Sequence, residues 1–324
     1  MPRVAAVIPN RNRAGLLQRA LASIAAQTAP PARVLVVDNG SSDGSVAVAR
    51  RAGAQVLEWP DNRGFAAAVN AGARMCDEEW LLILNNDAEL EPGCLAALLD
   101  AARRHQAAGA APRLLRFAQP DRLDGAWDLL ARGGVALRCG YNAPDSPAWR
   151  KERPILFAPL TATLLRREHC ELDEAFVSYL EDVELSLRLA LAGERLVYAP
   201  AAVARHHGGA TLGTWSPEFV RLMARNQLLL VSRHYPRGWW ARDGWAVLVG
   251  QALWGLGALR RGRLLPWLRG KWQGLRGFRE HRRPAPDPDR FRAVLRESER
   301  ELRAQVRAQP SWYWRMYCAL TRPG

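Results

Sequence analysis

The chain has 324 residues, 48% of them hydrophobic, which allows a sizeable buried core and excludes a disordered chain. Its net charge of +14 is confined to one end: residues 1–200 carry 23 basic and 24 acidic side chains, whereas residues 201–324 carry 23 and 8. Of the 46 basic residues only Lys151 and Lys271 are lysine; the arginine excess reads mainly as compositional bias, so the location of the charge matters more than its residue type.

The opening MPRVAAVIPN is too short an apolar stretch for a signal peptide and passes directly into a predicted strand near 3–8, so no export is expected. Apolar runs predict further strands near 33–37, 54–58 and 80–84, with helical patterns near 14–27, 43–52, 64–76 and 92–106 between and after them. Pro9, Pro30-Pro31, Gly40, Gly44, Pro60, Gly64 and Pro92-Gly93 fall at the breaks. This βαβ repetition predicts an α/β fold with a mostly parallel sheet and helices on both faces. Residues 118–153, rich in Gly, Pro and Asp, are expected to form an irregular excursion or hairpin; 155–165 read as a strand and 180–193 as a helix closed by Gly193. Nine of the thirteen tryptophans lie beyond residue 201, and the Pro/Asp-rich stretch 282–290 reads as a linker. Five scattered cysteines without a C-x-x-C pair indicate neither a disulfide framework nor a zinc site, and are expected as reduced thiols in the cytosol.

In an open α/β sheet, ligands sit at the carboxyl ends of the parallel strands, where loops and helix N-termini face one crevice. The first strand runs into Pro9-Asn10-Arg11-Asn12 and the second into Asp38-Asn39-Gly40-Ser41-Ser42-Asp43-Gly44-Ser45. The third runs into Asp61-Asn62-Arg63-Gly64-Phe65 and the fourth into Asn85-Asn86-Asp87. Singly, each has an ordinary explanation: Asp43 as a helix cap, DNGSSDGS as a turn, Asp87 as the start of a loop. Their coincidence at successive strand ends favours a ligand crevice. A dinucleotide site is disfavoured, because PNRNRAG lacks the G-x-G-x-x-G glycines that let backbone approach a pyrophosphate.

The motifs VIPNRNR, VLVVDNGSSDGS, NRGFAAAVNAG, LLILNNDAEL and YLEDVELSLRLALAG, in this order, resemble family 2 glycosyltransferases with the GT-A fold, most closely the bacterial rhamnosyltransferase-like branch. The resemblance implies a GT-A catalytic domain over residues 1–210, followed by a basic, Trp/Arg-rich helical extension over 211–324. In the family a D-x-D motif contacts the donor ribose and a divalent cation on its diphosphate; here it reads Asn85-Asn86-Asp87. Only Asp87 keeps a carboxylate, so the resemblance gives it the Mg2+ or Mn2+, a hard cation that neutralises the leaving diphosphate.

The resemblance further places Asp38 on the nucleobase or ribose, and Pro9, Asn10, Arg11, Asn12, Asn62, Gly64 and Asn70 around the nucleotide. Arg11 stands where the family often has an aromatic residue stacking on the base, a role a guanidinium plane can also fill. Glu181 and Asp182 open a predicted helix, where acids also suit the helix dipole. The family makes the aspartate of this pair the catalytic base, which implies Asp182, with Glu181 beside it. His206, Gly209 and Thr211 match an H-x-x-G-x-S/T pattern, implying His206 as a further metal or diphosphate contact.

The C-terminal third has a different character. Residues 245–259 form an uncharged run of fifteen, short of the ~20 needed to span a bilayer. Beyond it, Leu264, Leu268, Trp272 and Leu275 recur at helical spacing with Arg261, Arg263, Arg269, Lys271, Arg276 and Arg279 interleaved. Tryptophan with arginine suits an anionic membrane surface, and no nucleic-acid motif accompanies the charge.

These readings lead to an inverting glycosyltransferase, cytoplasmic and peripheral at the inner face of the plasma membrane. It is expected to move a sugar, first of all rhamnose, from a nucleotide diphosphate to a hydroxyl of a glycan or lipid-linked glycan. The alternatives are a UDP- or GDP-sugar donor, or a non-catalytic nucleotide-sugar-binding or membrane-scaffolding protein. A nucleotidyltransferase is disfavoured because IPNRNRAG does not supply its Gly-rich basic loop.

Overall fold

The computed structural model describes residues 3–208, 215–283 and 287–321. The chain divides into two compact units, Met1–Trp127 with Gly140–Thr211, and Asp128–Cys139 with Leu212–Gly324.

The first unit begins with strand β1 (Val4–Asn10), helix α1 (Ala14–Ala25), β2 (Arg33–Asn39), α2 (Ser45–Arg51), β3 (Gln55–Trp59), α3 (Phe65–Arg74) and β4 (Trp80–Leu84). It continues through β5 (Ala88–Leu90), α4 (Cys94–Arg104), β6 (Gly109–Arg116) and β7 (Leu123–Gly125). After the hairpin β8 (Asp128–Leu130) and β9 (Ala136–Arg138), which belongs to the second unit, come β10 (Arg153–Ile155), β11 (Ala162–Arg166), α5 (Glu181–Ala192) and β12 (Leu196–His206). The main sheet runs β10-β12-β6-β11-β4-β1-β2-β3, with β5 paired to β12 and β7 to β6. Strands β1 to β4 are mutually parallel, in register Ala5 with Arg33, Val4 with Trp80, and Leu35 with Gln55. Strand β11 enters antiparallel between β4 and β6, pairing Thr163 with Ile83.

Side chains alternate across a strand, so β1 serves two layers. Val4, Ala6 and Ile8 join the core under α1 and α4, with Leu17, Leu21, Leu95 and Leu98. On the other face α3 lies so close that a Cβ on Gly72 would strike Val7 and approach Val37. Residues 155–165 are not one strand: Ile155 closes β10, the chain turns at Leu160 and Thr161 with the Pro159 carbonyl accepting from the Thr163 hydroxyl at 2.5 Å, and β11 begins only at Ala162. Helix α5 ends as expected, with Gly193 left-handed at φ 91°.

The second unit adds α6 (Pro217–His234), α7 (Trp239–Leu259), α8 (Leu264–Arg276), α9 (Pro288–Ala308) and α10 (Trp312–Leu320) to the β8–β9 hairpin. Leu130 donates its backbone N–H to the Ser298 hydroxyl of α9, and Gly133 donates to the Tyr317 hydroxyl of α10. Between them, buried Arg132 holds Glu299 and Asp243, each at 2.6 Å. A boundary near residue 210 therefore misses the hairpin, which leaves the first unit's chain to pack among the C-terminal helices. The expected linker is shortened because α9 already starts at Pro288; residues 284–286 lie outside the described residues. No described helix is long and apolar enough to cross a membrane.

Candidate active site

The polar ends of β1, β2 and β4 are joined by one chain of hydrogen bonds. Asp38 is buried, and its carboxylate accepts from Asn10 Nδ2 at 3.0 Å, the Ser41 hydroxyl at 2.6 Å and the Ser41 backbone N–H at 2.9 Å. Asn10 Oδ1 in turn accepts from Asn86 Nδ2 at 2.7 Å. Asn12, left-handed at φ 59°, donates its N–H to Ser41 and accepts from the Ser42 N–H. Asn85 anchors the end of β4 through its N–H to the Thr161 carbonyl, while its buried Oδ1 has no hydrogen-bond partner among the described residues. Such an acceptor suits a ligand hydroxyl. Arg11 is exposed on the same loop, and Pro9 is buried within β1.

The next strand end positions a different segment. Gly40 is required where β2 meets the loop after β3, because a Cβ there would lie 2.9 Å from the Asp61 backbone. Asn39 then bridges to that loop, donating to the Gly64 carbonyl and accepting from the Arg63 N–H. Asn62 caps the turn by accepting from the Gly64 N–H at 3.0 Å. Gly64, at φ 93°, packs directly on Val177, and Ala66 donates to the Val177 carbonyl. Val177, Tyr179 and Leu180 all have positive φ, at 62°, 73° and 67°. For a β-branched valine this is a costly conformation that neighbours must impose. The strained turn delivers the first residues of α5: Glu181 is buried, and Asp182, half-buried, accepts from the Val183 N–H at 2.8 Å.

Asn70, expected around the nucleotide, is occupied inside the protein. Its amide donates to the Leu172 carbonyl and Glu174 and accepts from the Leu172 N–H, so it braces the loop that precedes the strained turn. Gly64 likewise acts through backbone packing on Val177, and Asn62 through a local turn.

Asp87 is buried beside His206, at 3.2 Å from Nε2. The other ring nitrogen of His206 lies 2.7 Å from Asp124 Oδ2. Burial opposes a charge on this imidazole, but the hydrogen bonds to Asp124 and Asp87 outweigh it and raise the pKa to about 9. The two flanking carboxylates favour the charged form of His206, and among the described residues no cluster of three or more ligating side chains is poised as a metal cage. Gly209 and Thr211 lie outside the described residues. Asp124, Asn39 and Ser41 were not singled out from sequence as site residues. The acid in the apolar stretch LDGAW was the available signal for Asp124, and DNGSS held the other two.

Residues 5–130 match the Glycosyl transferase family 2 profile. The N-acetylglucosaminyl-diphospho-decaprenol L-rhamnosyltransferase of Mycobacterium tuberculosis (strain ATCC 25618 / H37Rv) is 33% identical over 254 residues, covering 69% of this chain and 82% of that one. The chain belongs to glycosyl transferase family 2. Among solved structures, GalNAc-T7 with UDP, GalNAc and Mn2+ superposes with a TM-score of 0.64 at 15% identity, over 94% of this chain and 58% of that chain. The mannosyltransferase PcManGT of Pyrobaculum calidifontis, in complex with GDP-Man and Mn2+, gives 0.51 at 18% identity, over 98% and 79%. The fold of this glycosyltransferase is the GT-A fold, a mostly parallel central sheet flanked by helices.

Proposed function

We propose that this glycosyltransferase transfers a sugar from a nucleotide diphosphate to a hydroxyl of a lipid-linked glycan, with inversion, and that the donor is dTDP-rhamnose. The first unit is its catalytic domain and the second its basic extension. The observation that carries the reaction type is the continuous set of polar strand ends from Asn12 and Asn10 through Asp38 and Asn86 to Asp87, beside the strained turn that presents Asp182. Asp182 takes the proton of the acceptor hydroxyl as its oxygen attacks the anomeric carbon, and the nucleoside diphosphate leaves with the bonding pair. Asp38 and Asn10 hold the nucleoside, and the buried, unpartnered Asn85 Oδ1 lies at the neighbouring strand end. The choice of rhamnose and of a diphospholipid acceptor is supported by the relative from M. tuberculosis.

Asp87 and His206 fit a divalent cation. Asp124 orients the ring through Nδ1, which directs Nε2 at the Asp87 carboxylate, an arrangement that turns an imidazole into a ligand once the Nε2 proton leaves. One nitrogen and one carboxylate favour Mn2+ over the all-oxygen shell preferred by Mg2+. A cation bound there would supply positive charge to the departing diphosphate. The reading is tested by transfer assays with dTDP-rhamnose, UDP- and GDP-sugars, with and without Mn2+. Transfer from dTDP-rhamnose that stops in EDTA is expected. Full turnover in EDTA would remove the cation from the proposal, and activity with a UDP-sugar alone would remove rhamnose.

We also assign the second unit to an anionic membrane surface, because α7 and α8 turn large apolar side chains outward. Helix α8 buries Gly270, Lys271 and Gly274 against α6 and exposes Leu265, Leu268, Trp272 and Leu275. On α7 the outward positions Trp245, Leu248, Ala252, Leu256 and Leu259 are all apolar, the first two 61% exposed. Arg269 and Arg276 flank the apolar face of α8, so the whole chain should sediment with anionic vesicles in a salt-sensitive manner. Sedimentation that ignores both lipid charge and salt would reject the membrane assignment.

A further inference from the structure

The second unit contains a cleft of about 360 Å³ between the start of α7, the face of α9 and the end of α10. Arg242 of α7 and Arg292 and Arg296 of α9 line it, the latter two one helical turn apart and so on the same face. Asp243 also lines the cleft, but its carboxylate is held by Arg132 at 2.6 Å, and Arg292 pairs with Asp289 at 2.7 Å. Among the described residues, no carboxylate lies within ion-pair distance of Arg242 or Arg296, so the cleft carries uncompensated positive charge.

The other wall of the cleft is apolar. Trp245 and Leu320 line it, and their edges are tied by a hydrogen bond from Trp245 Nε1 to the Leu320 carbonyl at 2.9 Å. The same two residues begin the exposed apolar face: Trp245 leads along α7 to Leu248, Ala252, Leu256 and Leu259, and Leu320 leads back along α10 to Met316 and Trp312. A ligand that satisfies both walls has an anionic head and a hydrocarbon tail.

We infer that this cleft is a binding site for the phosphate group of an anionic lipid, with the phosphate oxygens on Arg242, Arg292 and Arg296 and the chain laid along the apolar stripe of α7 and α10. The geometry suits arginine, whose planar fork grips two phosphate oxygens at once. The inference rests on the membrane assignment of the second unit but is narrower, since it requires one pocket rather than a diffuse basic surface.

The test is vesicle co-sedimentation of the full chain, using phosphatidylcholine vesicles with and without phosphatidic acid. The variant R242E/R296E is compared with R269E/R276E, which makes the same charge change on α8, outside the cleft. All three proteins are first checked for equal melting temperature. The expected result is that R242E/R296E weakens binding to phosphatidic acid vesicles about tenfold or more, and R269E/R276E by clearly less. Equal losses in the two variants would overturn the cleft while leaving membrane attachment intact. Failure of the unaltered protein to bind anionic vesicles would overturn both. Inorganic phosphate is a separate arm. If it displaces the protein from vesicles at phosphate concentrations equal to those of the lipid, the site takes free phosphate and the lipid assignment falls.

Discussion

Asp182 stands half-buried on the first turn of α5, whereas Glu181 beside it is buried, which supports the proposal that the aspartate meets the acceptor hydroxyl. Asp182→Asn keeps the volume but removes the proton acceptor, and turnover should fall about 10²–10⁴-fold with nucleotide-sugar affinity nearly unchanged. Glu181→Gln should be milder; the reverse order in single-turnover rates would move the base to Glu181. A second residue-scale prediction concerns Gly64. An alanine there must adopt φ 93° and place its Cβ 2.6 Å from Val177, so the strained turn has to shift. Gly64→Ala should cost about 1–3 kcal/mol in chemical denaturation and lower the transfer rate, although Gly64 touches no reacting atom. Normal kinetics in that variant would separate the turn from Asp182. At this scale the sequence announced the polar strand ends, because a buried run halting in Asn and Asp leaves a visible break. It did not announce Asn70 as a brace or Asp124 as the partner of His206. Those partners lie 102 and 82 residues away, and no local pattern encodes such pairs.

At the scale of elements, the βαβ half of the first unit was legible because each strand and helix carries its own period, and parallel order follows from the alternation. The antiparallel entry of β11 between β4 and β6 was not, since its register against Ile83 is set by Thr163, 80 positions along the chain. The hairpin β8–β9 falls inside the excursion or hairpin expected over 118–153, but its packing was not legible, because its burial depends on Arg132 meeting Asp243 and Glu299 from far along the chain. Removing Arg132 strands the buried Asp243 carboxylate, while Glu299 keeps Arg303 at 2.7 Å, so Arg132→Ala should destabilise the second unit by about 3–5 kcal/mol, read as a lowered denaturation midpoint. A loss under 1 kcal/mol would show that the triad is not fixing the hairpin. Lys271 is a further buried basic group, one of only two lysines in the chain. It donates to the Ala224 carbonyl at 2.9 Å, to Gln227 Oε1 at 3.0 Å and to Gln251. It thereby fastens α8 to both α6 and α7. A shorter or uncharged side chain would leave three acceptors unfilled.

At the scale of the whole molecule, the two units should melt as separate transitions that respond to pH in opposite directions. Burial pushes Lys271 down to about 7 from its usual 10.5. Between those values the unfolded chain binds more protons than the folded one, so the second unit gains stability as pH rises from 7, by at most about 1.4 kcal/mol per pH unit. His206 runs the other way. Its folded pKa of about 9 lies above the unfolded 6.5, so its contribution is complete below 6.5 and is lost as pH rises through 9. Calorimetry in EDTA from pH 7 to 9 should therefore lower the transition of the first unit and raise that of the second. Lys271→Met should remove the rise, and His206→Gln should flatten the fall. Donor nucleotide with Mn2+ gives an independent assignment, because a ligand stabilises only the unit that binds it. At 100 times its dissociation constant it should add about 2.7 kcal/mol to the first transition and leave the second in place. A single transition that moves as one with pH and donor would instead show that the two units unfold cooperatively, and the opposing titrations would then cancel within one event.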